Sequence, residues 1–161
     1  MEEQEISREA MREMVQDAVT WTREEKYVDA IDVFERYLSP LSEGNLEDKR
    51  LAAATFSYYG VCVAMVKRKY ADAVKYCNIS VRSHVMDAEH RVNLAQVYLE
   101  RDDRRKAVEN LEAGLRMQPF NKRISQIFEE LGRRSRPPIT FLSRRNPINI
   151  WLGKFRNPKT D

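Results

Sequence analysis

The sequence predicts an all-α fold: an α-solenoid of three antiparallel helix pairs, then a covering helix and a partly extended C-terminal tail. Two observations predict it. First, 33% of the 161 residues are charged and only 5 are glycine, a composition that favours helix over sheet. Second, a small residue followed by a β-branched one recurs: Ala73 and Ala107 are 34 residues apart, and Ala30 lies 43 residues before Ala73. The length corresponds to about one domain.

The repeats follow this spacing along the chain. Their predicted limits are about 11–44, 54–87 and 88–121. The longer first interval indicates an insertion of about nine residues, and the turn-rich stretch SPLSEGNLED, at 39–48, is where we expect it.

The last predicted helix, at 122–132, covers the open end of the array. Ile124, Ile127, Phe128 and Leu131 share one face at helical spacing, and Gly132 is a natural stop. The end of a repeat array needs such an element because its last repeat has no neighbour. The predicted array therefore spans 1–134, and a basic tail rich in apolar residues spans 135–161.

The period and the residue types at fixed positions resemble the tetratricopeptide repeat (TPR) family. Counting the recurring alanines as repeat position 20, the small position 8 holds Ala18, Val61 and Ala95, with Gly60 taking that role after a one-residue shift. The usual proline at position 32 occurs only in the third repeat, as Pro119. The tail, PPITFLSRRNPINIWLGKF, looks similar to the ends of small bacterial repeat proteins.

The resemblance implies a concave face, lined by the first helix of each repeat, that binds a protein or peptide segment. The residues that it places there are Val15, Val19, Thr22, Tyr58, Cys62, Met65, Val92, Gln96 and Leu99. Some family members hold a peptide carboxylate with Lys, Asn and Arg at such places, where this chain has Val15, Val19 and Glu89. The surface therefore suits a segment with apolar anchors, or else some of these side chains pack against one another.

Reactive groups in a convergent arrangement are absent from the sequence pattern. Cys62 and Cys77 are read as reduced, packed thiols, and His84 and His90 as surface or packing histidines without further metal ligands at a matching spacing. We therefore predict no catalytic residues, no metal, no cofactor and no enzymatic activity. The acidic N-terminus is unlike a secretory signal, and no apolar run approaches the ~20 residues of a membrane span, so we expect a cytoplasmic protein.

Charge separates the tail from the body. From Arg133 onward eight basic residues stand against Asp161 alone, a charge of +7, which leaves −4 on the rest of a chain of net charge +3. The expected tail anchors are Phe141, Ile148, Trp151, Leu152 and Phe155. We expect them to fold back on the array, with RPPITFL extended and NPINIWLGKF as a short helix. Exchange of tails between two molecules would give a homodimer.

The leading functional hypothesis is a scaffold or adaptor, of which a secretion-type chaperone is one variant. A second hypothesis is nucleic-acid binding through the tail, against which the acidic body weighs. A third is attachment of the tail to a membrane surface, for which a ten-residue helix is a weak anchor.

Overall fold

The computed structural model describes residues 8–38 and 46–131. The helices in these ranges are α1 (Arg8–Arg23), α2 (Tyr27–Leu38), α3 (Leu46–Cys62), α4 (Tyr70–Ser83), α5 (Ala88–Glu100), α6 (Arg104–Met117) and α7 (Lys122–Glu130). The described part of the chain contains no strand. The all-α prediction is therefore confirmed, whereas the tail anchors, the tail's expected conformation and most of the stretch 39–48 lie outside the described residues.

The helices form consecutive antiparallel pairs. α1 packs most extensively on α2, α3 on α4, and α5 on α6, while α3 also contacts α1, α2 and α5. The helices up to Ser125 belong to one compact unit, and the second half of α7, from Gln126, falls in another. None of the described helices combines the length and the apolar character needed to cross a membrane.

Small residues are buried where the helices cross, as the repeat spacing predicts. Ala30, Ala73 and Ala107 have no exposed surface. At Gly60, a Cβ would lie 2.6 Å from Cys77 Sγ and 2.8 Å from the Ala73 carbonyl oxygen, so α3 and α4 approach at a point that has no room for a side chain. Gly60, rather than Val61, therefore takes the small role in the second repeat.

The covering helix begins where the sequence predicts it. Ile124 is fully buried, and its Cδ1 would be 2.7 Å from a Cβ at Gly114 of α6. Asn121 Oδ1 accepts a hydrogen bond from the Ile124 amide at 3.1 Å and so caps the first turn of α7. The absence of a side chain at Gly114 lets this end of α7 approach α6 closely.

The start of α3 differs from the prediction. The second repeat is expected at about 54, but α3 begins at Leu46 and so takes up eight residues ahead of that position. The segment LEDKRLAA contains neither glycine nor proline, so its composition does not interrupt a helix. Part of the predicted insertion is thus a lengthened helix rather than a loop.

A π-helical turn, Val63–Lys67, ends this first helix of the second repeat. The small residues of the two helices are 12 residues apart in the first repeat (Ala18 to Ala30) and in the third (Ala95 to Ala107). In the second repeat Gly60 and Ala73 are 13 apart. A π turn holds one more residue than an α turn, so it takes up this extra residue and restores the register of α4.

The turn inside each pair repeats the same backbone conformation. Glu25, Arg68 and Asp102 have positive φ angles of 64°, 54° and 63°. They are separated by the same 43 and 34 residues as the buried alanines. In the first and third turns the amide after this residue donates across the helix end, from Lys26 to the Trp21 carbonyl at 2.9 Å and from Asp103 to that of Tyr98 at 2.8 Å. These are Schellman-type ends at equivalent positions.

Candidate partner-binding groove

An open groove of about 400 Å³ lies between α1, α3 and the start of α5. Its lining residues are Val15, Gln16, Val19, Thr20, Arg23, Leu51, Ala54, Thr55, Tyr58, His84, Asp87 and His90. Apolar surface predominates, and the polar groups are contributed mainly by the end of α1 and by the α4–α5 turn. The groove thus combines an apolar floor with a few polar groups, which is the composition of a ligand site.

Helical spacing explains why these side chains meet. On α1, Val15, Val19 and Arg23 follow one another at intervals of four residues and so share a face. On α3, Leu51, Thr55 and Tyr58 have the same relation at intervals of four and three. The two faces line the same groove, and α1 and α3 are in contact.

The structure divides the predicted groove residues by burial. Of these, Val15, Val19 and Tyr58 line the groove. Val19, Met65, Gln96 and Leu99 are half-buried and accessible in part. Those that are buried are Val15, Thr22, Tyr58, Cys62 and Val92. The buried members contribute mainly packing, and their contact with a partner stays a prediction.

Several lining residues escape the repeat pattern. Leu51 lies in the part of α3 that precedes the predicted repeat, and His84 and Asp87 lie at the α4–α5 turn. For Leu51, the sequence offers one indication of a helical position: it is an apolar residue followed by AAA within a helix-favouring stretch. For the turn residues, nothing in the periodicity indicates which of them faces the groove.

A polar network borders the groove and joins α1, α3, α5 and α7. Arg23 Nη2 donates to Tyr58 Oη at 2.8 Å, and its guanidinium lies 5.5 Å from the centre of the Tyr58 ring. Arg23 Nε is also 3.4 Å from Glu89 Oε1, and Arg123 pairs with the same carboxylate oxygen. Arg123 further donates to Gln96 Oε1 at 2.8 Å and to Asn93 Oδ1 at 3.2 Å. Two arginines from distant helices therefore converge on one carboxylate.

This environment determines the protonation states of Tyr58 and Arg23. Burial raises the pKa of Tyr58, and the nearby Glu89 charge raises it further against the opposing effect of Arg23. Burial works to lower the pKa of Arg23, but Tyr58 and Glu89 outweigh it and the net shift is upward. At neutral pH the groove therefore carries a neutral phenol beside a charged guanidinium.

Three side chains beside the groove have the order hydroxyl, imidazole, carboxylate: Ser57 and His90 are buried, whereas the Asp87 side chain is 46% exposed. Ser57 Oγ is 2.7 Å from His90 Nδ1, and His90 Nε2 is 3.6 Å from Asp87 Oδ2. Serine hydrolases use this order, but there the hydroxyl must meet a substrate. Here Ser57 has no exposed surface, and its oxygen also accepts a hydrogen bond from Asn93 Nδ2 at 3.1 Å. The Ser57–His90 contact therefore serves to join α3 to α5 in the core.

The thiols and histidines form no metal site within the described ranges, where no group of three or more His, Cys, Asp or Glu side chains comes together. Cys62 Sγ lies 3.4 Å from Thr22 Oγ1 in the core, and burial raises its pKa to about 11. Burial also raises the pKa of Cys77, the more so beside Cys62. Both thiols are thus kept in their unreactive, protonated form at neutral pH.

Comparisons with known proteins bear on the fold. No protein-family model matches the sequence, and no curated protein matches it. Among solved structures, the chain is similar to the first TPR of Spaghetti (RPAP3) bound to HSP90 peptide SRMEEVD. The TM-score is 0.56 at 13% identity, over 78% of this chain and 93% of that one. The likeness shows that this chain has the TPR helical-repeat fold.

Proposed function

We propose that this chain is a protein-interaction module that binds an apolar-anchored segment of a partner protein in the groove between α1, α3 and α5. The observation that carries the proposal is the groove itself. Val19, Leu51 and Ala54, none of them fully buried, offer apolar contact at its surface. An apolar side chain of a bound segment would be stabilised there by burial, at about 25 cal/mol for each Å² removed from water.

The structural neighbour supports the general role, since a TPR of the same fold holds a peptide. That peptide, SRMEEVD, carries three acidic side chains. The groove of this chain instead presents aliphatic side chains beside an arginine whose charge is already paired. In the proposal the chain therefore takes an apolar anchor, as a cytoplasmic scaffold or chaperone-like adaptor of the small bacterial three-repeat kind.

The proposal is tested by selection of peptides from a random displayed library on the full chain, followed by titration of the winners. We expect enrichment of peptides with Leu, Ile, Phe or Trp. Val19→Glu should weaken their binding at least tenfold, because it places a charge on the apolar floor. Tyr58 is a poorer probe because it is 7% exposed and bonded to Arg23, so that its truncation also perturbs folding.

The matched control is Val28→Glu. Val28 lies on α2, is 64% exposed and does not line the groove. We expect this variant to bind like the wild type. Selected peptides without apolar enrichment, or equal affinities of the folded Val19→Glu variant and the wild type, would contradict the proposal.

A further inference from the structure

The carboxylate of Glu89 pairs with two guanidiniums, of which that of Arg23 lines the groove. Arg23 Nε of α1 lies 3.4 Å from Glu89 Oε1, and Arg123 Nη1 of α7 pairs with the same oxygen. The Glu89 and Arg123 side chains are only 21% and 27% exposed, whereas Arg23 is 52% exposed and lines the groove. The pair of arginines thus already holds an anion, and that anion belongs to the chain itself.

These arginines also donate to neighbouring side chains of the chain itself. Arg123 reaches Gln96 and Asn93 on α5, and Arg23 reaches the Tyr58 hydroxyl. Guanidinium groups form their strongest hydrogen bonds with carboxylates, and a partly desolvated carboxylate on two of them is held more firmly than a surface ion pair. An acidic ligand would therefore have to displace Glu89 or bind beside its charge.

We propose that Glu89 determines the specificity of the groove by occupying the Arg23–Arg123 pair, so that acidic segments are excluded and segments uncharged or basic around an apolar anchor are accepted. This inference rests on the proposed function, since it concerns the ligand of the same groove. An acidic segment at Arg23 meets a second carboxylate within a few ångströms, and like charges in a partly desolvated site repel each other. Rejection by an internal like charge is a recognised route to specificity.

The test uses the full chain with the acidic peptide SRMEEVD and with SRMQQVN carrying an amidated end, a counterpart from which every acidic group has been removed. Glu89→Gln keeps the shape of the side chain and frees both arginines. We expect the variant to bind SRMEEVD at least tenfold more tightly than the wild type, with a gain that shrinks as salt is added and that is absent for SRMQQVN. Glu89→Met is prepared alongside, so that a folded variant without the charge is available for the measurement.

Two further variants separate a specificity role from a general effect. Glu112→Gln removes an exposed glutamate of α6 that does not line the groove, and it should leave binding unchanged. Arg23→Gln added to Glu89→Gln should abolish the gain, because it removes the donor freed at the groove. No gain in the folded Glu89 variants, or wild-type binding of SRMEEVD as tight as theirs, would overturn the inference.

The library-selected apolar peptides are titrated on the same proteins. We expect them to bind the wild type and Glu89→Gln within about threefold of each other, because their anchor contacts the apolar floor. Failure of the wild type to yield such peptides counts against the proposed function, whereas the response to SRMEEVD reports on Glu89 alone. The two outcomes are therefore distinguishable.

Discussion

Arg68 holds a left-handed backbone conformation, with φ 54° and ψ 24°, at the end of the π turn. Residues with a Cβ adopt this conformation at a cost of about 1–2 kcal/mol. The equivalent residues Glu25 and Asp102 do the same, so the geometry of the turn, rather than the residue type, dictates it. The short turns place α2, α4 and α6 against their partner helices, and the packing of these helices offsets the local backbone strain.

Replacement of Arg68 by glycine should relieve this strain. We expect Arg68→Gly to raise the free energy of unfolding by about 0.5–1 kcal/mol, because the relief exceeds the entropy that glycine adds to the unfolded chain. Urea unfolding measures the change. As a control, Glu112→Gly in the exposed middle of α6 should lower stability by about 1 kcal/mol. Equal losses in both variants would show that Arg68 carries no strain.

At the scale of the elements, the sequence predicts the helix pairs well because the alanines at helix crossings are a steric requirement that repeats. The role of Gly60 can be predicted from the sequence for the same reason. The early start of α3 cannot, since the stretch 39–48 is rich in turn residues and its composition does not indicate where the turn ends and the helix begins. The pairing of Arg123 with Glu89 could not be predicted either. The two residues are 34 positions apart in the sequence, and their contact depends on the rotamers of long side chains, which the helical periodicity does not determine.

The π turn leads to a prediction about single-residue deletions. Deletion of Val66, within the π turn and 39% exposed, returns the second repeat to the 12-residue spacing of the other two. We therefore expect it to cost no more than about 1 kcal/mol, the cost of a typical substitution. Deletion of Glu100, at the equivalent place 34 residues later, removes a residue that a regular α-helix needs.

That second deletion rotates everything beyond it by about 100° relative to α5, and so misplaces the αL turn at Asp102. We expect a loss of several kcal/mol, or loss of folding, on the scale of other large packing defects. Urea unfolding of the two deletion variants provides the comparison. If deletion of Val66 lowered stability as much as deletion of Glu100, the interpretation that the π turn accommodates one extra residue would be wrong.

Within the unit that ends at Ser125, polar contacts beneath and beside the groove link α1, α3, α5 and the first part of α7. His90 lies at the centre of these contacts. It meets Ser57 through Nδ1 and Asp87 through Nε2, and the rings of Tyr58 and His84 lie 6.3 Å and 5.6 Å from its own. The ionisable groups that act on it are Asp87, Glu89 and His84. Protonation of His90 would therefore alter contacts that involve several helices.

Burial lowers the pKa of His90, and a charge on His84 lowers it further, while Asp87 and Glu89 oppose the shift. In the unfolded chain a histidine has a pKa of about 6.5. The unfolded state therefore binds this proton more readily, and the stability that His90 contributes is complete above about pH 6.5 and declines as the pH falls below it. The decline is at most about 1.4 kcal/mol per pH unit for one proton.

The window between about pH 6.5 and pH 5 suits this measurement, because the chain has only two histidines and ordinary carboxylates titrate below it. We expect the free energy of unfolding, measured in urea across this window, to fall with pH in the wild type. In His90→Gln the fall should be smaller, whatever the absolute stability of the variant, because the group that takes up the proton is gone. Parallel slopes in the two proteins would show that the stability carried by the contacts beneath the groove does not depend on the charge of His90.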